Sequence, residues 1–150
     1  GWDQRLAEEE NRCQRHDRPA CVIAIDLDGL KQINDRWGHA EGDRAIYRAA
    51  QAIQSAVRQH DVVARVGGDE FVVLLTEYSI AASQALLKRL NKSLIAHRIE
   101  ASFGIAARTN EGLIQAWERA DQAMYRQKRR KKLRHIFKRL LPNGSLAMPC

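Results

Sequence analysis

Four acidic side chains stand at the ends of β-prone segments in this sequence. Asp26 and Asp28 follow the apolar run 21–25, while Asp69 and Glu70 separate two further apolar runs. If these segments are neighbouring strands, three or four of the carboxylates converge beyond the sheet edge, where their mutual repulsion would raise their pKa values. A divalent cation relieves that repulsion, and Mg²⁺ typically takes one or two carboxylates together with substrate phosphates. The acids therefore predict a metal and phosphate site, with the alternative that Asp28 caps the next helix and Glu70 is merely solvated.

Gly67 and Gly68 lie directly before the second acidic pair, in the segment RVGGDEFVVLL of residues 65–75. Glycines in the turn between two β-prone runs predict a β-hairpin, because glycine adopts positive φ without steric cost. The turn would place backbone without β-carbons next to two carboxylates, where a ligand can approach. The sequence has no P-loop, dinucleotide-binding or H-E-x-x-H motif, so those phosphate and zinc sites are excluded.

The hydrophobic periodicity predicts the element order αβααββαβα, which is an α/β fold with at least one antiparallel hairpin. The continuous apolar run 21–25 is typical of a strand that is buried on both faces. Asp43 stands where an N-cap would begin the third helix. The predicted helices are 2–15, a short one ending at Gly38, one from 42–43 to about 60, 79–96 and 113–128, and the predicted strands are 21–25, 62–66, 71–75 and 99–106.

The charge of the chain is unevenly distributed. The 150 residues suffice for one domain, and their net charge is +7. From Arg126 onwards there are nine Lys and Arg and no Asp or Glu, which leaves 16 basic and 18 acidic residues in 1–125. A nucleic-acid-binding surface spread over the fold is therefore not expected. Three cysteines without metal-ligand or redox spacing, and the absence of a signal peptide or a bilayer-length apolar run, predict a cytoplasmic location.

The basic C-terminal segment has a helical pattern of its own. Its apolar residues recur at i, i+3, i+4, i+7 and i+8, with Lys and Arg around the rest of the turn: Leu133, Ile136, Phe137, Leu140 and Leu141. Such a helix can lie on an anionic membrane surface or dock on a partner. The alternative is a helix that packs back on its own domain. Pro142 is expected to end it, with NGSLAMPC disordered.

Four ordered motifs resemble the GGDEF family of diguanylate cyclases. They are D-x-D-G-L-K-x-I-N-D-x-x-G-H-x-x-G-D at 26–43, R-x-G-G-D-E-F at 65–71, S-F-G-I-A at 102–106 and A-D-Q-A-M-Y-R-Q-K at 120–128. The resemblance implies a palm-like, mostly antiparallel sheet flanked by helices, similar to that of class III nucleotide cyclases and polymerases. It also implies a homodimer that joins two GTP molecules into cyclic di-GMP and releases two pyrophosphates. The domain would occupy residues 1–132, followed by the tail 133–150.

The resemblance assigns roles to individual residues. Mg²⁺ or Mn²⁺ would be bound by the carboxylates of Asp26 and Asp69 and the carbonyl of Leu27, with Glu70 as a further ligand or as the base. The carboxylate of Asp43 would accept hydrogen bonds from guanine, unless it and Asn34 are helix caps only. Lys31 and Lys128 would supply positive charge near the phosphates. Backbone contacts to the nucleotide would come from Gly29, Leu30, Gly67 and Gly68.

An R-x-x-D pair, Arg58 and Asp61, matches the position of an allosteric product-binding site in many family members, and Arg89 could contribute to it. A surface ion pair near a helix end is the alternative. A second function remains open as well: a non-catalytic receptor that binds cyclic di-GMP or GTP.

The sequence departs from the family pattern at both ends. The usual opening motif D-x-L-T-G-L-x-N-R is absent, so the chain is expected to be a fragment whose upstream regulatory domain lies outside it. The region 94–102 is shorter than in many family members, so the hairpin often found there is expected to be reduced. After Lys128 the family continues to G-R-N, whereas this chain reads RRKKL. Lys132 takes the position of the phosphate-contacting Arg, and a lysine cannot form the bidentate fork of a guanidinium.

Overall fold

Five helices and four strands make up residues 1–141, which are the residues that this computed structural model describes. Their order is the predicted αβααββαβα. The elements are α1 (Trp2–His16), β1 (Ala20–Leu27), α2 (Leu30–Trp37), α3 (His39–Ala56), β2 (Val62–Arg65), β3 (Glu70–Thr76), α4 (Ile80–Ala96), β4 (Ala101–Ala107) and α5 (Leu113–Leu140).

The four strands form one antiparallel sheet in the order β2-β3-β1-β4. β2 and β3 are the predicted hairpin, and β1 lies between β3 and β4. The register places Asp26 opposite both Glu70 of β3 and Ser102 of β4. The end of β1 and the tip of the hairpin therefore lie at the same edge of the sheet.

Helices cover both faces of the sheet, which explains why β1 is a continuous apolar run. Ile23 and Ile25 face one core with α3 and α4, while Val22 and Ala24 face a second core with α1 and α5. All eight residues of β1 are buried. Burial of a Val or Ile side chain is worth about 1.5–3 kcal/mol, so this strand anchors both layers and fixes the positions of the acids that follow it.

The start of α3 differs from the prediction. The helix begins at His39 instead of at 42–43, and its N-cap is Gly38, whose φ of 89° allows an abrupt turn after α2. Asp43 therefore lies within the helix and is exposed, so the expectation that it caps α3 is wrong. The helix also ends at Ala56, before the predicted end near residue 60.

The last helix is much longer than predicted. α5 continues to Leu140 because the segment RRKKL contains no glycine or proline that would end it. The proposed boundary between residues 132 and 133 falls inside this helix, and the division into domain and tail stays a prediction. The apolar tail residues 133, 136, 137 and 140 are more than half exposed, so they do not pack back on the domain. The expectations about Pro142 and the final residues fall outside the described part of the chain.

Candidate active site

Three carboxylates meet at the edge of the sheet where β1 ends and β3 begins. Oxygen atoms of Asp26, Asp69 and Glu70 all lie within 4.8 Å of one another. Antiparallel pairing of β1 with β3 brings them together, and the backbone N–H of Leu27 donates to the carbonyl of Asp69 at 2.9 Å. The predicted convergence of acids from separate strands is therefore found, at a spacing that a single cation can bridge.

Asp26 is the most buried of the three acids, with only 3% of the residue exposed. Burial raises its pKa to about 6, while the ion pair with Lys128 acts in the opposite direction and the charges of Asp69 and Glu70 add to the increase. Lys128 Nζ lies 2.8 Å from Oδ1. This contact is not aligned as a hydrogen bond, so the buried Oδ1 accepts none from the described residues. A metal ion that took Oδ1 as a ligand would therefore have to displace the Lys128 ammonium group from it.

Glu70 lies in a similarly acidic environment. Its pKa is raised, first by burial and then by the charges of Asp121 and Asp69. Asp121 on α5 has a pKa raised by burial as well. The sequence analysis did not single out Asp121, although it belongs to the segment A-D-Q-A that the resemblance quotes. Its proximity adds to the excess negative charge that a divalent cation would neutralise.

The turn of the hairpin is held by Arg65. Its Nε donates to the carbonyl of Gly67 at 3.1 Å, and its Nη2 donates to the carbonyl of Gly68 at 2.9 Å. A β-carbon on Gly68 would have no neighbour within 4 Å, so the backbone there borders open space. Arg65 thus holds the turn in place, while the backbone at Gly68 stays accessible. The structural role of Arg65 was not anticipated from the sequence.

Asp28 does not join the cluster, so three of the expected three or four carboxylates converge. Its Oδ1 accepts a hydrogen bond from Ser102 Oγ at 2.8 Å, and its Oδ2 lies 2.8 Å from Lys131 Nζ. Asp28 does not cap α2 either, because the N-cap is Gly29 and no side chain caps that helix. Lys128 and Lys131 are three residues apart on one face of α5 and thus pair with Asp26 and Asp28, respectively.

Lys131 was missed because the sequence analysis assigned the phosphate-contacting position to Lys132. In the structure Lys132 is exposed, whereas Lys131 is partly buried and also donates to the carbonyl of Ala101. The signal that could have identified it is the i, i+3 spacing from Lys128.

The two residues expected to bind guanine lie next to each other. Asn34 on α2 packs against α3 so closely that its Oδ1 occupies the space where Gly42 would carry a β-carbon. Asp43 is the next residue on α3 and is exposed. Gly29, with a φ of 74°, and Leu30 begin α2 as expected. Lys31 follows on the first turn of that helix and is exposed.

The R-x-x-D pair forms a structured turn between α3 and β2. Asp61 Oδ2 accepts from the backbone N–H of Arg58 at 2.9 Å and lies 3.8 Å from Arg58 Nε. The two residues thus form an ion pair just after α3, as the alternative predicts, with the Asp61 side chain completely buried and the Arg58 side chain 43% exposed. The Arg58 guanidinium lies 3.8 Å from the ring centroid of Tyr78. Arg89 reaches the same corner, where its Nη2 donates to the carbonyl of Ala56 at 2.7 Å. Asp61 Oδ1 is buried without a hydrogen-bond partner among the described residues.

Comparison with known proteins agrees with this arrangement. A family model described as "Diguanylate cyclase, GGDEF domain" matches residues 1–134. The chain belongs to the GGDEF family.

Relatives of this GGDEF domain include named cyclases. It is 40% identical over 136 residues to diguanylate cyclase DgcP of Pseudomonas aeruginosa, a match that covers 84% of this chain and 20% of DgcP. It is 43% identical over 117 residues to probable diguanylate cyclase DgcJ of Escherichia coli K12, covering 75% of this chain and 24% of DgcJ. The chain thus spans about a quarter or less of the length of these relatives.

Solved GGDEF structures confirm the predicted palm-like fold. The GGDEF domain of DgcB from Caulobacter crescentus, in complex with c-di-GMP, has a TM-score of 0.80 at 26% identity, covering 85% of this chain and 82% of that one. Diguanylate cyclase SiaD of Pseudomonas aeruginosa, in complex with its activator SiaC, has a TM-score of 0.78 at 34% identity, covering 84% and 52%.

Proposed function

We propose that this GGDEF domain is a metal-dependent diguanylate cyclase, which condenses two GTP molecules into cyclic di-GMP and releases two pyrophosphates. The observation that carries the proposal is the meeting of Asp26, Asp69 and Glu70 within 4.8 Å at the sheet edge. The named cyclases among the relatives support the same activity.

The donor set fits Mg²⁺ or Mn²⁺, because it consists of three crowded carboxylates, and oxygen ligands are the ones that these hard ions prefer. Asp26, Asp69 and the carbonyl of Leu27 would hold the ion, with Glu70 beside them. When bound, the cation supplies positive charge to the α-phosphate and to the attacking hydroxyl. Lys128 adds a second positive charge at the same place, and a phosphate that approached Asp26 would compete for it.

Glu70 is the group that we assign as the base. Because its pKa is raised by burial and by neighbouring acids, it holds a proton more readily than an exposed glutamate does. It would accept the proton of the 3′-hydroxyl as that oxygen bonds to the α-phosphorus of the second GTP. The bond from this phosphorus to the β-phosphate oxygen breaks, and pyrophosphate leaves. The same step on the other nucleotide closes the ring.

Guanine selectivity would come from Asn34 and Asp43. The N1–H and N2–H₂ groups of guanine are donors, which suits the carboxylate of Asp43. Adenine would place an acceptor against that carboxylate, and an unpaired buried polar group costs about 1–3 kcal/mol. The backbone at the start of α2, at Gly29 and Leu30, and the side chain of Lys31 would contact the phosphates.

One domain provides only half of the required site. Each GTP must attack the other, so two domains facing each other across a twofold axis satisfy the symmetry of the reaction. We therefore propose a homodimer as the catalytic unit. Its specific activity should rise with protein concentration and level off once the dimer is formed.

Product inhibition would use the turn that carries the R-x-x-D pair. Arg58 lies over the ring of Tyr78, and Arg89 donates to the carbonyl of Ala56, two residues before Arg58. A guanidinium can stack on guanine and bind phosphate bidentately. The completely buried Asp61 carboxylate would position Arg58 by accepting from its backbone N–H. The expected ligand is cyclic di-GMP.

The test is synthesis of cyclic di-GMP from GTP and Mg²⁺, at several protein concentrations. We expect product from the unmodified chain and a loss of about 10²-fold or more in Asp69→Asn and Glu70→Gln, since both remove charge where the transition state needs it. The matched control is Glu118→Gln, which changes an exposed acid on α5 outside the carboxylate cluster and should retain full activity. Binding of cyclic di-GMP without any synthesis would refute the enzyme and favour the receptor.

A further inference from the structure

The C-terminal part of α5 exposes a stripe of large apolar side chains. Between 43% and 69% of each residue is exposed, and the members of this apolar stripe are Leu133, Ile136, Phe137, Leu140 and Leu141. At about 100° per residue they cover an arc of roughly 140° of the helix surface. A cluster of this kind on a surface otherwise rich in charge indicates an interaction site.

The apolar stripe lies on the side of α5 that faces away from the domain. The opposite side of the helix borders an open groove of about 650 Å³, to which it contributes Lys131, Arg134, His135 and Lys138. Across that groove lie residues 98–101 at the start of β4. Because polar and basic side chains occupy the inner face, the apolar stripe has no partner among the described residues.

Charge identifies the kind of surface that could cover the apolar stripe. No Asp or Glu occurs from residue 126 to the end of the chain, which carries nine Lys and Arg there. On the helix, Lys132 and Arg139 flank one edge of the apolar stripe, and Arg134 flanks the other. A second copy of the same helix would bring these cations against each other, so pairing between copies is electrostatically opposed. Lys and Arg side chains along both edges of the apolar stripe are complementary to an extended surface of negative charge.

We propose that residues 126–141 dock on an anionic lipid surface. The helix would lie in the plane of the interface, with the apolar stripe at the boundary of headgroups and acyl chains and the flanking bases among the lipid phosphates. None of the described helices has the length and apolarity to cross a bilayer, so the helix lies on the surface instead of spanning it. The domain then sits on the far side of α5. This inference does not depend on the proposed cyclase activity.

The test is co-sedimentation of the full chain with vesicles of phosphatidylcholine, alone or mixed with phosphatidylglycerol. We expect binding to the mixed vesicles that is about tenfold or more stronger than to the neutral ones and that weakens with added salt. The double variant Ile136→Ser, Phe137→Ser should lose about tenfold in binding, because burial of the apolar stripe supplies part of the affinity. It should keep its melting temperature and its basal activity, since both side chains are about half exposed.

The matched control replaces two exposed apolar residues elsewhere, Tyr47→Ser and Ile114→Ser, which are 64% and 61% exposed. It should bind vesicles as the unmodified chain does. Equal binding to neutral and anionic vesicles, no binding at all, or binding unaffected by the serine variant at positions 136 and 137 would each overturn the proposal. A dimer in sedimentation equilibrium that this variant dissociates would also overturn it, in favour of contact between copies.

Discussion

The side-chain oxygen of Asn34 lies 1.7 Å from the point where Gly42 would carry a β-carbon. Helices α2 and α3 thus approach so closely that only a hydrogen atom fits between the backbone of one and the amide of the other. This contact places the Asn34 amide against Gly42, the residue before Asp43, and we propose that Asn34 and Asp43 recognise guanine. A glycine in the interior of a helix is usually unfavourable, and here its absence of a side chain creates the space for the Asn34 amide.

Replacement of Gly42 by Ala should separate stability from substrate affinity. Alanine favours a helix interior by about 1 kcal/mol over glycine, and the atoms that it meets belong to a movable side chain. We therefore expect an unchanged or higher melting temperature. The displaced Asn34 amide would lose its proposed contact with guanine, so we expect KM for GTP to rise about tenfold.

A double-mutant cycle provides the control for this prediction. Asn34→Ala alone should raise KM for GTP by a similar factor, and the combined variant should show no further increase, because both changes remove the same contact. Additive effects would mean that Gly42 acts independently of Asn34. A large fall in melting temperature for Gly42→Ala would contradict the assignment of a movable neighbour.

Metal affinity should depend on pH through Asp26. Burial raises the pKa of this carboxyl to about 6 in the metal-free protein, so the proton occupies the ligand below that pH. Since a metal ion must displace this proton, we expect Mn²⁺ binding to weaken about tenfold between pH 7 and pH 5. Titration calorimetry measures the change directly.

The same titration affects the stability of the metal-free protein in the opposite direction: metal affinity rises with pH, whereas the free energy of unfolding falls. A carboxyl whose pKa is raised on folding favours the folded state at low pH and opposes it as the pH rises through about 6. Added Mg²⁺ should therefore stabilise the protein more at pH 7.5 than at pH 5. Equal stabilisation at both values would show that Asp26 is not a ligand.

Gly104 in β4 lies against the backbone of α5, and its replacement by alanine should destabilise the protein, unlike that of Gly42. A β-carbon there would lie 1.8 Å from the carbonyl oxygen of Ala120 and 2.4 Å from the backbone nitrogen of Met124. Both atoms belong to the backbone of α5, which cannot rotate away. Gly104→Ala should lower the free energy of unfolding by about 2–4 kcal/mol in urea denaturation. Gly68→Ala, whose β-carbon would meet nothing within 4 Å, is the control and should leave stability unchanged.

Local patterns were sufficient to predict the elements and the acids between them. Apolar periodicity and the glycine turn predicted β1, the hairpin and the order of all nine elements within residues 1–141, because these signals are short-range. The meeting of Asp26 with Asp69 followed from their positions at strand ends. The start of α3 was missed because the cap was sought at a side chain, Asp43, whereas the helix begins after the unusual backbone of Gly38.

Contacts that depend on the packing of distant elements could not be predicted. The pairing of Asp28 with Lys131 and Ser102 requires the register of β4 and the length of α5, neither of which is visible near Asp28 in the sequence. The predicted end of this helix at Lys128 is too early, because the helix continues through the basic segment RRKKL, which contains neither glycine nor proline. Charge alone does not end a helix; glycine and proline do.

One carboxylate, that of Glu10, joins three elements on the side of the sheet away from α3 and α4. It accepts hydrogen bonds from Arg108 Nη2 at 2.7 Å and from the backbone N–H of Leu113 at 2.8 Å. It therefore links α1 to the end of β4 and caps the start of α5. The Arg108 hydrogen bond lowers the pKa of Glu10, against an opposing effect of burial.

Replacement of Glu10 by Gln should destabilise the protein in a pH-dependent way. The amide keeps the shape but loses the charge, so we expect a decrease of about 1–3 kcal/mol in the free energy of unfolding at pH 7. Because the pKa of Glu10 is lowered on folding, its contribution is present above the unfolded value of 4.5 and is lost as the pH falls through the folded value. The difference between the two proteins in urea denaturation should therefore shrink at low pH. Glu8→Gln, which changes an exposed acid two residues before Glu10 on α1, should show no difference at either pH. If the difference in free energy of unfolding between Glu10→Gln and the unmodified chain persisted at low pH, the carboxylate would act by packing and not by charge.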